Sequence, residues 1–206
     1  AAILAPASAV NATTFAAYDA TNGVTPATTT DITALGSTIN DGSTSNLRIN
    51  TDGAGADIAL GATDTTINTL VQANTTLGTT PTIDTASKTL RVNGVLLAST
   101  TNTRGLTIGA NANDGTLTAG TAGGELFLIN NSANTLTVNA AIANNTSASL
   151  VSKFGSGNAT FAGTNTYTGA TSLKGGIITA ANSSAFSNGA VTILPPTTRL
   201  VINDGL

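Results

Sequence analysis

The chain has 206 residues, of which 40% are hydrophobic, 8% charged and 3% aromatic, and it contains no His, Cys, Met or Trp. This composition excludes a Ser-His-Asp triad, a Cys nucleophile, and zinc or haem ligation by His or Cys. Seven Lys and Arg against ten Asp and Glu give a net charge of −3, so nothing neutralises a nucleic-acid backbone or an anionic membrane surface.

Two Tyr and five Phe are too few for an aromatic-centred core, so a chain of this length must bury small and β-branched side chains. Thr makes up about a fifth of the residues, well above average usage, and with Asn, Ser and Gly it gives a neutral rather than ionic surface. Such tracts can lack a core. A mean hydropathy of +0.21 with low net charge nevertheless falls on the folded side of the hydrophobicity–charge balance. The absence of Cys and Met fits an extracytoplasmic protein that avoids oxidisable sulfur.

At the N-terminus, Ala1 to Ala9 lacks a basic flank and reads as a first strand rather than the remnant of a signal segment; the chain reads as an excerpt of something longer. Residues 1–45, with Pro6, Pro26 and Thr28-Thr29-Thr30, alternate poorly. They are expected to form an irregular β/loop segment serving as a cap or as a linker to a preceding module. Residues 46–206 are expected to form one repetitive β unit. Within it, Asp52-Gly53-Ala54-Gly55-Ala56-Asp57 approaches the calcium-binding nonapeptide but misses its first position, and the residues from Gly61 do not repeat it. Asp52, Asp57 and Asp64 are therefore only weak calcium candidates, because that motif works when stacked in adjacent coils. The longest apolar runs, Val95 to Ala98 and Leu126 to Ile129, are far short of the roughly 20 residues a membrane-spanning helix needs.

From Gly115 onward, short alternating stretches recur about every ten residues: 115–118, 125–129, 135–138, 158–161, 171–173, 176–179, 190–193 and 199–202. This spacing predicts strands. Asn-Asp-Gly tripeptides at Asn40, Asn113 and Asn203, with Gly123-Gly124, Asn144-Asn145 and Gly175-Gly176, supply the turns. No stretch resembles a capped helix of more than two turns. Evenly spaced strands suit a sandwich or barrel, but a composition of Thr, Asn, Val, Ile and Gly suits better a β-solenoid, in which like side chains stack from coil to coil. Three strands per coil would take somewhat over 20 residues, giving on the order of eight coils.

The segment VSKFGSGNATFAGTNTYTGATSLKGGIITAANSSAFSNGAVTI, Val151 to Ile193, resembles the autotransporter-associated β-strand repeat. Lys153, Gly155, Gly157, Gly163, Asn165, Tyr167, Gly169, Thr171 and Gly176 fall on its pattern, as does Gly189-Ala190-Val191-Thr192. Ala159, Phe154 and Ala170 depart from it in side-chain volume only. The upstream TLRVNGVLLAST, DGTLTAG, GELFLIN and TLTVNAAIANN share the rhythm of segments that precede such repeats. The resemblance implies an all-β, right-handed parallel β-helix displayed outside the bacterial cell as a passenger or stalk, and it implies no activity.

Within the motif, Gly155, Gly157, Gly163 and Gly169 are expected at positive φ where the chain turns. Asn165 is expected to tolerate the left-handed region while its amide bonds the backbone, and Tyr167 to lie over a coil edge with its hydroxyl in water. Lys153 is expected between two strands, as an edge charge against unwanted pairing. Parallel β-helices also carry polysaccharide-cleaving enzymes, which need convergent carboxylates. Here there is one Glu, Glu125, and Asp41, Asp114 and Asp204 belong to turns, so no catalytic residues and no cofactor are assigned. Asn74 and Asn158 begin glycosylation sequons, common by chance in so Thr-rich a chain.

Three functional readings follow. The first is a structural surface module that extends or joins end to end with itself or with neighbouring modules. The second is an adhesin that binds glycans or a cell surface through a neutral Thr/Asn face. The third and weakest is a polysaccharide-cleaving enzyme.

Overall fold

Period-two alternation of Leu, Ile and Val with Thr and Asn lets a strand point one row of apolar side chains inward while the other row stays wet. Stacking such strands in parallel buries each row against the same row of the next coil. A computed structural model describes residues 2–4, 14–34, 36–50, 57–74, 79–99, 104–187, 189–194 and 198–203, and in it the chain is all-β, built as a parallel β-helix.

The first strands are β1 (Ala2–Leu4), β2 (Thr14–Asp19), β3 (Gly23–Pro26), β4 (Thr30–Ile32), β5 (Thr38–Ile39), β6 (Gly42–Ile49) and β7 (Ile58–Leu60). Next come β8 (Asp64–Gln72), β9 (Thr82–Asp84), β10 (Thr89–Leu97), β11 (Leu106–Ile108), β12 (Thr116–Ala119), β13 (Glu125–Asn130) and β14 (Leu136–Val138). The last are β15 (Ala141–Ile142), β16 (Leu150–Phe154), β17 (Ala159–Phe161), β18 (Thr171–Leu173), β19 (Ile177–Ala180), β20 (Val191–Ile193) and β21 (Arg199–Ile202). The eight stretches expected from Gly115 onward all contain strands. β15 and β16 are additions, and β16 holds Lys153.

Two ladders run the length of the molecule. One joins β4, β6, β8, β10, β13, β16, β18 and β20; the other joins β5, β7, β9, β11, β14, β17, β19 and β21. Every pairing in both is parallel. A shorter third side begins in the N-terminal halves of β8 and β10 and separates into β12 and β15. Only Asn93 lies between the two halves of β10, whereas residues 120–126 separate Ala119 of β12 from Phe127 of β13 in the next coil. That insertion turns one long strand into two.

The core is a set of in-register rows. Ile58, Ile83, Ile108, Val138, Phe161 and Ala180 form one, each buried, and burying each large member contributes about 1.5–3 kcal/mol before conformational entropy. The parallel pairing begins at Thr30, so β4 and β5 already belong to these ladders.

Upstream, β1, β2 and β3 form a small antiparallel sheet. Its Phe15 packs on the outer face of the first ladder, in a second cluster with Ala27, Val71, Leu96, Ala98 and Ile129. A Cβ at Gly94 would lie 2.9 Å from the Phe15 ring, so the phenyl group occupies the space that a side chain at position 94 would need.

Candidate functional site

The residues of the repeat motif gather at the turns around β16, β17 and β18. Lys153 lies inside β16, in register with Leu128 and Leu173, and is fully buried. It is therefore a core residue and not an edge charge between strands. Its Nζ donates to the carbonyl oxygens of Phe154, Gly155 and Gly175, each at 2.9 Å. Those carbonyls point inward where the chain leaves one ladder for the other, and the ammonium supplies the donors that their turn geometry denies them.

Burial pushes the Lys153 pKa down to about 8, while three carbonyl acceptors oppose this by favouring the protonated form. Other coils meet the same need with amides: Gln72 Nε2 donates to Gly105 O at 3.2 Å, and Asn130 Nδ2 donates to Asn134 O and Asn158 O at 2.7 Å each. Period-two counting from Val151 would have placed Lys153 inward; its charge argued the other way.

Gly155 and Gly176 have positive φ, +83° and +69°, as turns demand. Gly157, Gly163 and Gly169 do not, contrary to the expectation for all three. Their requirement is room: a Cβ at Gly163 would lie 2.5 Å from Ala140 O, because consecutive coils press backbone on backbone there, and the same holds for Gly157 against the Ser132 carbonyl and Gly169 against the Ser149 carbonyl.

Asn165 is buried and, unlike Asn113 at φ 65°, is not in the left-handed region. Its Oδ1 accepts from Ile142 N at 2.7 Å in the preceding coil, and its Nδ2 donates to Ala185 O at 2.6 Å in the following one. One carboxamide thus ties three coils on the side where strand pairing thins out. Replacing Asn165 with Ala leaves both backbone groups unpaired in a dry site, and chemical denaturation should register a loss of about 2 kcal/mol.

Tyr167 follows the same inward alternation and is also fully buried, so its hydroxyl is not wet. It lies 2.5 Å from Thr171 Oγ1, and burial raises its pKa. With Thr171 and the Ser187 backbone as hydrogen-bond partners, the phenol fills a core position without an orphaned polar atom.

The calcium candidates are not assembled into a site. Asp52 lies outside the described residues. Asp57 is exposed, and Asp64, at the start of β8, pairs with Arg91 at 3.1 Å. Among the described residues no group of three or more acidic side chains could hold a metal ion. Other carboxylates bind their own fold: Asp31 takes a two-pronged contact from Arg48 at 2.8 and 2.6 Å, which holds its carboxyl below the usual range. Asp41 accepts from Thr66 N at 2.7 Å and Asp114 from Ala110 N at 3.1 Å; Asp204 lies outside the described residues. Of the sequons at Asn74 and Asn158, Asn158 is exposed and Asn74 is buried, so the folded chain does not present Asn74 to a glycosylating enzyme.

Sequence reasoning did not find an asparagine ladder on the outer surface. Asn68 Nδ2 donates to Asn46 Oδ1 at 2.8 Å, and Asn93 Nδ2 donates to Asn68 Oδ1 at 3.0 Å. These residues line a groove of about 320 Å³ between the N-terminal sheet and the first ladder, together with Phe15, Thr121, Glu125 and Phe127. The recurrence of Asn at positions 68 and 93, opposite each other in β8 and β10, was the available signal, visible only once the coil length is known.

No protein-family model matches the chain, and no solved structure matches it. Over 95 residues, 46% of its length, it is 40% identical to the adhesin BmaC autotransporter of Brucella suis biovar 1 (strain 1330). The chain spans only 3% of that relative's length. This similarity to an autotransporter adhesin, joined to parallel ladders that run through Val151 to Ile193, agrees with the autotransporter-associated β-strand repeat recognised in the residues.

Proposed function

We propose that the chain is a β-helical module of a large bacterial surface protein, standing outside the cell and serving to extend it. The observation that carries this reading is the pair of uninterrupted parallel ladders, clothed in neutral Thr and Asn and free of any convergent catalytic group among the described residues; the similarity to part of an autotransporter adhesin supports it. Such a ladder transmits pairing from coil to coil and can join another at an open edge. β20 and β21 each have one described neighbour, and Val191, Ile193, Val201 and Ile202 on them are exposed.

Joining through these strands is a head-to-tail contact that does not close on itself. The purified chain is expected to form linear oligomers at high concentration in electron microscopy and sedimentation, and Ile193→Lys with Ile202→Lys to abolish them. Monomers at all concentrations would remove the end-to-end part of the reading.

A second reading, adhesion by this module itself, is favoured by the polar groove of Asn46, Asn68 and Asn93. Glycan-array binding by the isolated chain tests it.

A further inference from the structure

The geometry points to a binding site for one uncharged pyranose unit of a glycan in the groove between the N-terminal sheet and the first ladder; this rests on the adhesive reading above. The groove measures about 320 Å³, at the small end of ligand sites, and suits a single sugar ring better than an extended peptide. Its floor is the asparagine ladder. Among the described residues the ladder bonds use one N–H each of Asn68 and Asn93, so each amide keeps a second N–H, and Asn93 Oδ1 keeps its acceptor capacity.

Glu125, the single Glu of the chain, lines the same groove half-buried, with an acceptor for paired hydroxyls. Phe127, also half-buried, adds an apolar face for ring C–H groups. Its orientation is braced by Phe154, with centroids 6.2 Å apart. Donors, an acceptor and an apolar ring converging on one small cleft are what a sugar presents partners for: hydroxyls at its rim and C–H groups on its face.

Among the described residues no Lys or Arg lines the groove, and the Glu125 carboxylate repels an anion, which selects against sialylated, uronic or sulfated sugars. The site exists because of two features noted above. The insertion after Ala119 brings Thr121 and Glu125 to one side, and the sheet anchored by Phe15 builds the other.

The test is a titration of the 206-residue chain with methyl glycosides of glucose, galactose, mannose and N-acetylglucosamine, with N-acetylneuraminic acid as the charged comparator. The Asn side-chain amide resonances are followed by NMR. At least one neutral glycoside is expected to shift the Asn68 and Asn93 amides with Kd on the order of 1 mM. Glu125→Gln should weaken it at least tenfold, and Thr121→Trp, an exposed loop position, should block it, both with unchanged melting curves. The site is refuted if no neutral glycoside shifts these amides, if the acidic sugar binds more tightly, or if both variants bind as the parent does. Glycan-array binding that persists in both variants would overturn the site while leaving the adhesive reading intact; no binding to any glycan would end both.

Discussion

Replacing Lys153 with Met should destabilise the β-helix by about 3 kcal/mol at neutral pH, since three inward carbonyls lose their donor at ~1–3 kcal/mol each and the relieved ammonium desolvation offsets only part of this. Met matches the stem of Lys in length and flexibility, so volume is conserved and the effect reports the ammonium group. In a chain of this size the loss corresponds to a drop of roughly 6–12 °C in Tm. An unchanged Tm would mean that the carbonyls of Phe154, Gly155 and Gly175 find other partners. A β-helix can melt in segments, so hydrogen exchange at β16 to β19 should show the loss first.

The same residue has a pH signature. Its folded pKa, pushed to about 8 by burial, lies below the ordinary Lys value of about 10.4 in an unfolded chain. Between these values the unfolded state holds a proton that the folded state has released, so stability rises as pH increases from about 8 towards 10. Below pH 8 both states are protonated and the contribution is flat. A series of denaturation midpoints from pH 7 to 10 should show this rise in the parent chain and not in Lys153→Met. Asp31 acts at the other end: its lowered pKa contributes stability above the ordinary carboxylate range that is lost as pH falls through the folded value. That contribution is small because the Arg48 pair is largely exposed.

The second large effect concerns attachment rather than melting. Phe15→Ala should cost about 3–5 kcal/mol at its site, because the ring fills the slot over Gly94 and is the largest member of the outer cluster with Val71, Leu96 and Ile129. The N-terminal sheet has few other apolar anchors: Tyr18 and Val24 on it are exposed. The expected outcome is that β2 and β3 lose hydrogen-exchange protection and become sensitive to protease, while the ladders from β6 onward keep theirs. A dye that reports exposed apolar surface should bind the variant. Global unfolding in place of local release would show that the sheet and the ladders form one cooperative unit. Detachment also opens the groove, so any sugar binding there should vanish with it.

Much of the fold could be read from the residues. The alternation from Gly115 onward, the Thr-, Asn- and Ile-rich composition and the motif at Val151 led to a parallel β-solenoid, because periodicity of two and stacking of like side chains are local properties. The upstream strands alternate too, yet β8 and β10 run to nine residues, so the change of side at Asn68 and Asn93 falls inside a continuous strand, and the Asn93-Gly94 pair, ordinarily a turn signal, ends no strand.

The motif residues were legible as a group, but two were misjudged for the same reason. Charge placed Lys153 at the surface and a hydroxyl placed Tyr167 in water, whereas inward alternation buries both, and partners from neighbouring turns satisfy them: Gly175 O for the amine and Thr171 for the phenol. The glycines show the converse. Their abundance was read as conformational freedom, yet at Gly157, Gly163 and Gly169 the requirement is the absence of a Cβ where coils touch.

By itself, then, the sequence determined the class of fold, the neutral surface, the lack of His and Cys chemistry and the place of the repeat, all of which depend on composition and on neighbours a few residues apart. Only the tertiary structure decided which polar groups are buried, that the N-terminal sheet lies against the side of the ladders, and that Asn46, Asn68 and Asn93 stand in one row beside Glu125. Those depend on coil length, which varies from coil to coil: Thr171 pairs with Val151 and Val191, 20 residues either way, whereas Gly94 pairs with Phe127, 33 residues on. A register that changes with each insertion is set by which rows pack together, and no local pattern carries that information.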